Sequence, residues 1–152
     1  MAFAAFTRTL PAPSATLSGF VCLLTETWWT QANANAMDGT TFINGGGSIR
    51  CYTDSSKTTQ LPVHVVEFVT GGTPSAQVWV RVPSYAGAST TIYIESDATA
   101  TTQPPVTDTY GRNAVYSDYR VRHTLYDTST TENATGDANC YNDPKRFSDG
   151  PS

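Results

Sequence analysis

Apolar and polar residues alternate with a period of two through much of the chain, the spacing that places successive side chains on opposite faces of a β-strand. The cleanest run is "AQVWVRVP", with Ala76, Val78, Val80 and Val82 on one side and Gln77, Trp79 and Arg81 on the other. It predicts a strand whose valines point into a core between two sheets, with Trp79 and Arg81 facing outward or toward a neighbouring subunit. "SIRCYTD" alternates as well, Ile49 and Cys51 against Arg50 and Tyr52, and the polar turn "DSSKTTQ" separates it from a long second strand, "LPVHVVEFVT". "TTIYIES" follows the turn "SYAGAS". "GFVCLL" is apolar on both faces, Phe20, Cys22 and Leu24 against Val21 and Leu23, which predicts a central strand covered on both sides.

The segments between these strands are short and carry turn residues. "TWWTQANANAMDG" allows one or two helical turns, with Thr27 or Thr30 as caps. A second short helix is expected near Asn113 to Tyr116, and a last strand from Tyr119 to Tyr126. The run Gly45 to Gly47 raises the question of a phosphate loop, but that loop needs a following lysine and a helix, and here Ser48 leads into a strand. The glycines therefore read as a tight entry into the strand.

Residues 1–15 are small and proline-broken and form either an edge strand around "FTRTL" or an arm that orders on a partner. Residues 128–152 are polar and unpatterned and read as a tail. Between them, residues 16–127 form one domain. The expected fold class is all-β: an antiparallel, jelly-roll-like β-sandwich with one or two short helical turns and irregular terminal arms.

Composition narrows the function more than the fold. The formal charge is −4 and the nine basic residues are scattered, which argues against nucleic acid as a partner. Nothing approaches the 18 or so consecutive apolar residues of a membrane span, and no export segment is legible, so the expectation is a chain made in a cytoplasm. Cys22, Cys51 and Cys140 lack metal or disulfide spacing, and the first two read as small buried hydrophobes in strands.

Each candidate chemistry is weak. His64 and His123 lie far apart, with no HxH or HExxH pattern around them, so no metal set is expected. "DANCYNDP", from Asp137 to Pro144, clusters oxygen ligands (Asp137, Asn139, Asp143) without calcium-loop spacing. Glu67 and Glu95 each sit on a strand and would serve a glycosidase only if held across a cleft. No GxSxG elbow accompanies the serines. The reading is that no residue is catalytic, binds a cofactor or holds a metal. Trp28, Trp29 and Trp79 remain as candidates for glycan stacking or for a core or subunit contact.

From Gly45 to His123 the motifs "GGGSIRCYTDSSKTTQLPVHVVEF", "AQVWVRVPS", "STTIYIES" and "TQPPVTDTYGRNAVYSDYRVRH" follow one another. In this order they resemble the DUF2341 family, a β-rich module of bacterial surface proteins and of phage and prophage virion proteins. Glu95-Ser96 stand where the family usually carries tyrosine and glycine, and Arg122 stands where it carries tryptophan. Family members commonly continue into a concanavalin A-like lectin domain, which does not follow within these 152 residues. The resemblance implies a non-enzymatic structural protein on the outside of a tailed-phage virion, as a capsid decoration protein or a tail or fibre adaptor. Its partners would be other virion proteins and further copies of itself. The alternative is a carbohydrate-binding adhesin module for host-surface glycans.

Overall fold

The computed structural model describes residues 6–10, 12–32, 36–85 and 90–118. The expected last strand, His123, Cys140, the oxygen cluster at Asp137 and the C-terminal tail lie outside the described residues. Among the described residues seven strands form two antiparallel sheets: β1 (Phe6–Leu10), β2 (Leu17–Thr25), β3 (Ile49–Tyr52), β4 (Gln60–Leu61), β5 (Val63–Val69), β6 (Ser75–Tyr85) and β7 (Thr90–Ser96). One sheet has the order β1-β7-β3-β4 and the other β2-β6-β5. The fold is an all-β sandwich, as the alternation predicts. Part of the N-terminal stretch is the edge strand β1, paired along its whole length with β7 from Phe6 opposite Ile94 to Leu10 opposite Thr90.

The core is the set of inward positions of both sheets. Val78, Val80 and Val82 are fully buried on β6, and Ile49, Cys51, Ile92 and Ile94 meet them from the opposite sheet. The facing read from "AQVWVRVP" holds. Cys22 and Cys51 are both free thiols in this core. Burial pushes the Cys22 thiol up to about 12 and raises Cys51 further, with the neighbouring Cys22 adding to the shift, so both stay protonated and unreactive at neutral pH.

Two features depart from simple alternation. The pairing of β5 with β6 slips between Val65 and Glu67, a bulge that returns Phe68 to the core side after Val63 and Val65. Behind that bulge lies Gly46, at φ +83, where a Cβ would come within 2.8 Å of Phe68 Cβ and 2.9 Å of Val65 Cγ1. Only glycine fits this backbone conformation and this contact, so the glycine run answers a packing demand rather than a ligand.

β2 is not the central strand that its two apolar faces suggest. Among the described residues it pairs with β6 alone and stands at the edge of its sheet. Its second apolar face has a different cause. Val21 packs, with Trp79, against Val115 and Tyr116, a small second core on the outer side of the three-stranded sheet. A short helix, α1 (Glu26–Ala32), follows β2. Neither Thr27 nor Thr30 caps it, since both lie inside it, and the Thr30 hydroxyl donates back to the Glu26 carbonyl at 3.0 Å.

Candidate functional site

The second core marks the face of the sandwich where side chains of unlike chemistry gather. Outward-facing positions of β5 and β6 bring His64 and Trp79 opposite each other, and the connector of residues 97–118 folds over them. This connector ends in a four-residue helix, α2 (Arg112–Val115). Tyr116 is fully buried just after α2, and its hydroxyl lies 3.0 Å from His64 Nδ1, with the two rings edge to face. Trp79 and Arg81 therefore face this connector, where the sequence pointed to solvent or a neighbouring subunit. Arg81 Nη2 donates to Asp118 Oδ2 at 2.6 Å.

The same connector closes the free edge of β5. Gln103 Oε1 accepts from the Val65 N–H at 3.0 Å and Gln103 Nε2 donates to the Val65 carbonyl at 3.1 Å. One side-chain amide thus replaces a residue of a neighbouring strand. The Val63 N–H donates to the Tyr110 carbonyl at 2.9 Å. An exposed strand edge is a template for unwanted pairing, and here it is satisfied internally.

Two pockets open beside the connector. One, of about 320 Å³, is lined by His64, Gln103, Pro104, Val106 and Arg112 among others. The other, of about 310 Å³, lies between β4, β6 and residues 109–117 and is walled by Leu61, Pro62, Pro83 and Tyr110, with Arg81 at its side. Tyr110 remains 37% exposed, and Arg81 Nε is buried with no hydrogen-bond partner among the described residues. Sequence reasoning did not single out Tyr110, because it sits in a connector with no periodic pattern to mark it.

The candidates drawn from the sequence separate in space. Trp29 is 1% exposed and lies in the main core, edge to face with Phe42 at 5.0 Å and Phe68 at 5.1 Å, so it offers no face to a ligand. Trp28 is half-buried against the same core, while Trp79 belongs to the second core; the three do not make one platform. Glu67 accepts from the Ser75 hydroxyl at 2.9 Å, and Glu95 pairs with Lys57. They lie on the outward sides of different sheets, so they do not flank a common cleft. Among the described residues no three His, Cys, Asp or Glu side chains come together as a metal set. No described helix is long and apolar enough to cross a membrane.

No curated protein and no solved structure matches the chain. A family model does, over residues 45–136, from the glycine run through the connector. The match covers more than half of the chain and includes β3 to β7, α2 and the pockets beside them. The chain therefore belongs to the family described as Domain of unknown function (DUF2341).

Proposed function

We propose that the protein is a non-enzymatic structural component on the outside of a tailed-phage particle, as a capsid decoration protein or as an adaptor at the tail or its fibres. One observation carries this reading: the strand-borne charges of the sandwich are used to hold the scaffold. Arg50 donates to the Gly47 and Thr102 carbonyls, Lys57 pairs with Glu95 and Arg81 with Asp118, and Glu67 holds Ser75. A catalytic site needs ionisable groups aimed at a shared point and shifted in pKa to suit a reaction, and this arrangement spends them on internal contacts. The resemblance of the module to those of virion proteins supports the same reading. The chain would be made in the host cytoplasm and gain its remaining contacts on assembly, with other virion proteins and with further copies of itself.

Removal of the gene tests the proposal. Particles lacking the chain should still assemble and package their genome, with lower survival on heating if it decorates the capsid, or lower adsorption to cells if it is an adaptor. Unchanged heat survival together with unchanged adsorption would contradict the proposal.

A glycan-binding adhesin module is the second reading. It is favoured by one observation, the open pocket beside the exposed ring of Tyr110.

A further inference from the structure

The pocket beside Tyr110 has three properties that suit a ligand. Its walls are apolar where Leu61, Pro62 and Pro83 line it, whereas its rim carries the exposed hydroxyl residues Thr59, Thr109 and Ser117. The backbone that carries its aromatic residue is held before any ligand arrives, because the Tyr110 carbonyl accepts from Val63 at 2.9 Å and the Tyr110 N–H donates to Asp108 Oδ1 at 2.8 Å. Finally, the Arg81 guanidinium lines its side and is held there by Asp118, with Nη2 donating to Oδ2 at 2.6 Å.

We propose that this pocket binds a neutral saccharide unit, with Tyr110 as its stacking face and the Arg81 guanidinium as a donor to a ring or hydroxyl oxygen. A pyranose has an apolar face of C–H groups and an edge of hydroxyls, which matches apolar walls with a hydroxyl rim. The size suits one or two sugar units, since about 310 Å³ stands at the small end of ligand pockets. Asp118 neutralises the Arg81 guanidinium, so the pair carries no net charge to attract an acidic sugar. Proline-rich peptides also dock in aromatic grooves, but they do not account for the hydroxyl rim or the guanidinium beside it. This inference deepens the adhesin reading and is independent of particle assembly, so either can fail while the other stands.

The test is a titration of the ¹⁵N-labelled full chain, followed by amide shifts, with glucose, galactose, mannose, N-acetylglucosamine and rhamnose in turn, and with a polyproline peptide. At least one saccharide should move the amides of Gln60, Thr109, Tyr110 and Ser117 saturably. Tyr110→Ala, at an exposed position, should weaken that binding by about tenfold or more, while Tyr110→Phe keeps it. Arg81→Lys retains a cation for Asp118 but removes the planar guanidinium donors, and should weaken binding in a protein that still folds. The proposal is overturned if no saccharide moves these amides, if Tyr110→Ala binds like the parent, or if only the peptide binds.

Discussion

Val80→Asp should abolish soluble folding. Val80 is fully buried at the middle of β6, the central strand of its sheet, opposite Cys22 on one side and Val63 on the other. Its backbone carbonyl already accepts the weak Cys22 thiol contact at 3.4 Å, and among the described residues no Lys or Arg is part of the core around it. An unpaired carboxylate there costs several kcal/mol even after taking up a proton, against a total stability of about 5–15 kcal/mol for a domain of this kind. Val69→Asp is the control: Val69 is 46% exposed at the end of β5, and this change should stay within about 0.5 kcal/mol of the parent. Solubility and cooperative unfolding of the two variants check the prediction. A soluble, cooperatively folding Val80→Asp protein would mean that β6 faces the other way.

Trp29→Ala should be nearly as damaging, for a different reason. Its ring fills the space between Phe42 and Phe68, and its Nε1 donates to the Leu24 carbonyl at 3.4 Å. Truncation leaves a cavity that the two phenylalanines cannot fill, at a cost of about 3–5 kcal/mol. The midpoint of urea unfolding should fall accordingly while the slope stays unchanged. Trp28→Ala, which removes a half-buried ring, should cost clearly less. If Trp29→Ala left stability within about 1 kcal/mol of the parent, Trp29 would not be a core residue and its candidacy as a stacking surface would reopen.

The strands were legible because one face of each lies in a dry core while the other carries polar or mixed residues, and this contrast is what alternation records. "AQVWVRVP" shows it best, since its three inward valines are all fully buried. Legibility failed where a third layer intervened. Val21 and Trp79 look like a second buried face or a subunit contact, but they pack under α2 and Tyr116, a piece of chain too short to show helical periodicity. The bulge in β5 was left unread, although the doubled valine Val65-Val66 between the polar His64 and Glu67 breaks the alternation at the place where the register slips. Gln103 gave no signal; its pairing with Val65 follows from where the connector runs, not from its sequence neighbours.

The candidate site was the least legible part. Tryptophan draws attention as a sugar-stacking residue, yet Trp29 is in the core and Trp79 belongs to the second layer. The residue with both an exposed ring and a pocket beside it is Tyr110, placed by two backbone hydrogen bonds that no sequence pattern announces.

The proposed role is tested most directly by density-gradient centrifugation of any particles released from cells whose genome carries the gene, with quantitative mass spectrometry of each fraction. The account predicts that the chain bands with intact particles at a fixed ratio to the major capsid or tail protein, and that antibody to it binds those particles unopened. Recovery of the chain only in the soluble fractions at the top of the gradient, with none in the particle band, would contradict it.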